Sequence, residues 1–204
     1  MAASVVLFAP MPILQFHVEL LGVRPRIWRR IEVRNSRTFW DLHCAIQDAM
    51  GWKDCHLHQF TLSTGDQRLV GIPDQEFPDD EEVLPGWETR LADWHAGAPM
   101  QYEYLYDFGD DWLHRITLEK VGRAEPGVRY PRCTGGERRC PPEDVGGAHG
   151  YTEFLASLRS SRKRRRQEVE SWIGEPFDPE EFDPHAVRFV NPTTRLKHSG
   201  VLGG

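Results

Sequence analysis

"TFWDLHCAIQDAMGW", residues 38–52, decides how the chain is organised. Phe39, Leu42, Ile46 and Ala49 recur at the three-to-four spacing of one helical face. Thr38 stands where an N-cap belongs, Asp41 follows three residues on as in a capping box, and Gly51 supplies the usual stop. The stretch therefore predicts an amphipathic helix, which must bury its apolar face against another element.

The flanks provide that element. Upstream, "ILQFHVELLG" (13–22) is rich in strand formers. "RIWRRIEVR" (26–34) alternates, with Ile27, Arg29, Ile31 and Val33 on one face and Trp28, Arg30 and Glu32 on the other. The intervening "GVRP" reads as a turn, so the two form a hairpin. Downstream, "HLHQFTL" (56–62) reads as a strand with His56, His58, Phe60 and Leu62 on one side, and "STGDQ" turns it. "MQYEYLYDF" (100–108) and "WLHRITLEKV" (112–121) are two further strands joined by Gly109, Asp110 and Asp111. In the second, Trp112, His114, Ile116 and Leu118 share the face that hydrophobicity turns inward. The order predicts an α+β domain: a mixed sheet with a helix packed across one face, a β-grasp-like β-β-α-β start, then a further hairpin and C-terminal helices.

Residues 74–90 are acidic and proline-punctuated and read as a solvated loop, followed by a short helical turn at "RLADW" (90–94). Residues 127–150 are glycine, proline and two cysteines with no periodic pattern. "YTEFLASLRSS" predicts a helix through Tyr151, Phe154, Leu155 and Leu158, running on into "RKRRRQEVESWIG". Asp178-Pro179 and Asp183-Pro184 each read as a helix start, a carboxylate cap with Pro behind it. The expected organisation is one domain over 12–190, with 1–11 and 191–204 as flexible tails.

Composition narrows the function. With 39% hydrophobic residues in 204 the chain is globular, and a net charge of −6 argues against a surface coated for nucleic acid. The apolar N-terminus lacks a basic leader and is broken by Pro10 and Pro12, which argues against a signal peptide or a membrane span. The expected location is the cytoplasm, where Cys44, Cys55, Cys133 and Cys140 are reduced thiols. No phosphate loop, dinucleotide fingerprint, nucleophile elbow or H-E-x-x-H occurs.

The residues able to carry chemistry gather near "YDFGDDWLH" (106–114). His56, His58, Asp107, Asp110, Asp111, Trp112 and His114 form the expected ligand pocket, with the 133–149 loop at its border. Two readings stand for the same residues. One is a hydrogen-bonded Asp–His network closing the end of the sheet, since a buried imidazole needs partners. The other is a divalent-metal site formed by His56, His58, Asp110 and His114. Cys133 and Cys140 with His149 are spaced wrongly for a zinc knuckle and read as incidental. Trp87, Trp94 and Trp172 read as packing residues. The single basic run, Arg162, Lys163, Arg164, Arg165 and Arg166, reads as a solvated helix face, with phosphate contact as the minority alternative.

Four blocks, "TFWDLHCAIQDAMGWKDCHLHQF", "YEYLYDFGDDWLHRITLEKV", "YPRCTGGERRCPPEDVGGAHGYTEFL" and "FDPEEFDPHAV", together resemble the plasmid pRiA4b ORF-three-like family, over about residues 12 to 190. The resemblance implies a compact α+β domain of a family found on plasmids or near mobile elements. It implies no established activity, substrate or cofactor. Its pattern falls here on His56 and His58, on Asp107 to Asp110 with Trp112 and His114, and on the Cys140 to Gly147 loop. The basic run departs from that pattern, so any nucleic-acid contact would be particular to this chain. The expectation is a cytosolic module binding a protein or a small polar ligand. A metal-dependent hydrolase, with phosphodiesters as the candidate substrate class, and a nucleic-acid-binding accessory protein stand as alternatives.

Overall fold

The computed structural model describes residues 12–64, 66–73, 82–95 and 99–200. The expected tail at 1–11 and the first part of the acidic loop lie outside the described residues. Eight strands form one mixed sheet in the order β5-β4-β3-β6-β7-β1-β2-β8. They are β1 (Pro12–Leu20), β2 (Ile27–Arg34), β3 (His58–Thr64), β4 (Asp66–Gly71), β5 (Val83–Pro85), β6 (Met100–Tyr106), β7 (Trp112–Arg123) and β8 (Arg132–Glu137). Every pairing is antiparallel except the short β4–β5 edge.

Helix α1 (Phe39–Met50) is capped as its sequence predicts: Thr38 accepts from the Asp41 N–H, Asp41 reaches back to the Thr38 N–H, and Gly51 closes the helix at φ +91°. Its side chains lie on the inner face of the sheet, where His43 and Gln47 both reach the Tyr104 hydroxyl of β6. Leu14, Phe16, Ile31, Phe60, Leu62, Tyr102, Ile116 and Leu118 complete that buried layer. The opposite face is wet and self-paired: Arg30 donates to Glu119, Gln15 donates to the same carboxylate, and His17 stacks on Trp28. Among the described residues no helix is long and apolar enough to cross a membrane.

The structure departs from the sequence reading in several places. A strand, β8, forms inside the stretch read as punctuation, pairing with β2 from Glu32 to Trp28. The acidic loop ends in β5. The basic run does not continue the helix before it: α2 (Gly147–Leu158) stops and α3 (Lys163–Ile173) starts after Arg162. Neither Asp-Pro pair starts a helix. Asp178 and Asp183 accept from the N–H two residues on, closing single turns. The C-terminal stretch read as a loose tail holds α4 (Pro192–His198), capped by Asn191 and tied to α1 by Arg195, which bridges Asp48 at 2.6 Å.

Candidate metal and ligand site

Gly51 turns the chain out of α1, and the following connection is held at several points. Asp54 accepts from His43 at 2.8 Å and faces Arg195 at 3.6 Å. The Lys53 N–H donates to Glu143 Oε1 at 2.7 Å, the Cys55 N–H reaches the Tyr106 hydroxyl at 3.2 Å, and Leu57 accepts from the Asp107 N–H at 2.9 Å. His56 is thereby placed beside the β6–β7 corner, before β3 begins.

At that corner Asp107 and Asp111 adopt the left-handed backbone region, φ +58° and +57°, which aspartate tolerates better than most residues. Asp107 Oδ1 accepts from the Gly109 and Asp110 N–H groups at 2.9 and 3.3 Å, leaving Oδ2 directed at His56. Asp110 holds the loop before α2, its Oδ2 accepting from the Gly146 N–H at 3.1 Å. Trp52 donates to the Pro141 carbonyl at 2.9 Å and fixes the other end of that loop. Gly147 is needed between them: at φ +67°, a Cβ there would sit 2.5 Å from the Asp110 carbonyl oxygen. Gly147→Ala should cost about 1–3 kcal/mol in denaturant unfolding. Gly127→Ala serves as the reference, since Gly127 has φ +77° with nothing within 4 Å. Equal losses in the two variants would show that the close approach contributes nothing.

The loop brings Glu143 and Asp144 to His56. Nε2 of His56 lies 3.1 Å from Asp144 Oδ1, 3.5 Å from Asp107 Oδ2 and 4.0 Å from Glu143 Oε2. It is buried as an atom and makes no hydrogen bond within the protein. Donor atoms about 2.0–2.2 Å from one cation stand roughly 3.0–3.5 Å from each other, so two of these three separations match shared coordination and the third is close. A second group, Cys55, His56 and Glu143, offers ligand atoms within 4.8 Å of one another. Tyr106 donates to both Glu143 oxygens, and burial first, then the Glu143 charge, drives its phenol far above the ordinary range, so it stays a donor. The Asp144 side chain is 70% exposed, which leaves the cluster open on one side. On that side lies a cleft of about 660 Å³ between the end of α1, residues 139–144 and residues 172–188, and Glu143 and Asp144 line it. Its size falls in the range of small-molecule sites.

Of the expected pocket, the structure brings together His56 and Asp107. His58 points into the packing under α1, its ring parallel to His43 with centroids 3.5 Å apart. Neither of its nitrogens has a hydrogen-bond partner, and burial followed by the nearby His43 holds its pKa well below 6.5. His114 is also fully buried, with Nδ1 facing the Tyr104 carbonyl at 3.2 Å and Nε2 unpaired; burial pushes its pKa down to about 4. Trp112 is buried beside Trp52. Asp111 is exposed and Asp110 serves the loop. The metal set His56, His58, Asp110 and His114 is therefore not gathered. Among the described residues, the groups with metal-ligand spacing contain neither of the other two histidines nor Asp110. The reason is register: β3 starts at His58, so His56 precedes the strand and escapes its alternation.

The residues missed were Cys55, Tyr106, Glu143 and Asp144. An adjacent Glu-Asp between Pro-Pro and a glycine pair was the available signal, since such a loop displays carboxylates on a stiff backbone. Cys133 and Cys140 are buried and do not meet His149, which faces Glu153 at the surface. Cys140 lies against Met50 and Arg29. In the basic run, Arg164 and Arg166 pair with Glu168 and Glu170 one turn on, and Arg165 donates to Ser157. Trp172 is 54% exposed at the cleft instead of packed.

The comparisons agree with this architecture. An uncharacterized protein, y4hQ, from Sinorhizobium fredii strain NGR234 is 33% identical over 177 residues, covering 87% of each chain. The crystal structure of MM3350, a protein of unknown function from Methanosarcina mazei Go1, superposes with a TM-score of 0.79 at 36% identity, covering 89% of this chain and all of that one. The family model described as plasmid pRiA4b ORF-3-like protein matches residues 12–186, so the chain belongs to the plasmid pRiA4b ORF-3-like family.

Proposed function

We propose that the protein is a binding module that holds a divalent cation at the His56 corner and receives a small polar ligand in the adjoining cleft. The observation that carries the reading is the convergence of Asp107, Glu143 and Asp144 on one buried imidazole nitrogen that makes no hydrogen bond. The Asp107 and Asp144 carboxylates lie within ligand distance of each other and repel, and a cation relieves that repulsion while satisfying the nitrogen. Glu143 and Asp144 are shared by corner and cleft, so a ligand in the cleft can meet the cation directly. Hydrolysis is the second reading, favoured by the exposure of Asp144. An open coordination position on that side would admit a water, whose ionisation a cation promotes.

The test is metal content of protein purified without a histidine tag, followed by calorimetric titration with zinc and with manganese. About one equivalent is expected, with affinity reduced roughly tenfold or more in His56→Ala and in Asp107→Asn. His149→Ala, a surface change, should bind as wild type does. Failure of the wild-type protein to take up either metal sinks the reading, as does unchanged affinity in His56→Ala.

A further inference from the structure

Cys55 is the one member of the corner whose place the carboxylate–imidazole set does not explain. The residue is exposed, and its thiol lies 4.0 Å from the Tyr106 hydroxyl. It nevertheless lies within ligand distance of His56 and Glu143. A dication entering between the thiol and the carboxylate would meet a sulfur donor able to bind as the thiolate. The cation favours the thiolate and becomes its partner.

His56 can give Nε2 to one cation only. The carboxylate group (Asp107, Asp144) and the thiol group (Cys55, Glu143) are separate sets that share His56, so a cation on that nitrogen draws its other donors from one of them. Oxygen donors alone suit magnesium, calcium or manganese. An imidazole and a thiolate added to them favour zinc and its borderline neighbours.

We infer that Cys55 is a ligand of the corner cation and that the cation is zinc. The inference rests on the cation site proposed above and goes beyond it by naming the metal and the sulfur donor. Binding replaces the S–H bond with an S–Zn bond and releases the thiol proton to solvent, with no change of oxidation state.

Cobalt(II) tests this under reducing, oxygen-free conditions, because it takes zinc sites and reports its donors optically. The wild-type protein loaded with cobalt should show visible ligand-field bands together with a near-ultraviolet thiolate-to-cobalt charge-transfer band. In Cys55→Ser the charge-transfer band should vanish while the ligand-field bands remain. Zinc affinity should fall at least tenfold in this variant, with manganese affinity little changed. Cys44, Cys133 and Cys140 are buried and remain in the variant, so they provide an internal control. Ligand-field bands without the charge-transfer band in the wild-type protein would overturn sulfur ligation and leave the cation site standing. Absence of both, with no cobalt retained after gel filtration, would overturn the cation site and the inference together. Because Cys55 is exposed, loss of folding should not obscure the comparison.

Discussion

Lowering the pH from about 6.5 to about 4 should strip several kcal/mol from the protein's stability, and the cause lies under α1. His43, His58 and His114 are fully buried there, and all three have pKa values lowered, chiefly by burial. In the unfolded chain each titrates near 6.5, whereas folded His114 takes up its proton only near 4. The unfolded state therefore binds more protons throughout that window, and stability rises with pH across it. The full stability is present above pH 6.5 and is lost as the pH falls towards 4. For His114 alone the difference amounts to about 3 kcal/mol, because each pH unit is worth about 1.4 kcal/mol. The surroundings reinforce the direction. The Arg29 charge disfavours protonated His114, and His43 does the same to His58. The Tyr104 carbonyl, and for His43 the Asp54 carboxylate, oppose the shift without reversing it. Urea unfolding at half-unit steps, in chelator so that metal release does not contribute, gives the slope of stability against pH. In His114→Leu that slope should fall by about 1.4 kcal/mol per pH unit within the window. An unchanged slope would remove His114 from the account.

This set of buried histidines also shows how far the sequence could be read. The parity of β7 turned His114 inward with Ile116 and Leu118, and the parity of β2 put Arg29 on the face of Ile31 and Val33; both are buried. Helix α1 was legible down to its capping box because its signals are local. The candidate site was not local. His56 and Asp107 could be named from their own stretch, but Glu143 and Asp144 arrive only because Asp110 holds Gly146 and Trp52 holds Pro141. No periodicity encodes such a closure. Strand β8 was missed for a related reason. "RCTGGE" shows little alternation, and it joins the sheet through backbone pairing with β2, where glycine is demanded by contact. A Cβ at Gly136 would lie 2.8 Å from the Trp28 carbonyl oxygen and closer still to the Phe182 ring. Helix α4 lacks an apolar stripe and docks through Arg195, an ionic contact that sequence patterning does not register.

Replacing Arg29 should be the most damaging single change in the molecule. Arg29 is 1% exposed and, among the described residues, pairs with no carboxylate, yet all five of its N–H groups are used. Nε donates to Ala49 O at 2.7 Å, Nη1 to Trp28 O and Glu137 O at 2.8 and 2.9 Å, and Nη2 to Arg138 O at 2.7 Å and Cys140 Sγ at 3.3 Å. Ala49 lies in the last turn of α1, where carbonyls lack intrahelical partners and a cation is favoured. One guanidinium thus joins the end of α1 to the segment leaving β8. Its flat face carries the Phe182 ring at 3.6 Å, which seats the chain that forms the far wall of the cleft. Arg29→Met keeps the volume but strands buried carbonyls from three elements, and a loss of about 3–5 kcal/mol is expected. Arg29→Lys retains the charge without the fork and should recover only part of it. Because Phe182 loses its seat, limited proteolysis between residues 175 and 190 should speed up in Arg29→Met more than global destabilisation alone accounts for. Phe182→Ala provides the comparison: it should open the same segment while the stability of the α1–sheet core falls far less. If Arg29→Met unfolds within about 1 kcal/mol of the wild-type protein, the stranded carbonyls have found other donors. The guanidinium would then not be what holds the helix end, the β8 exit and the cleft wall together.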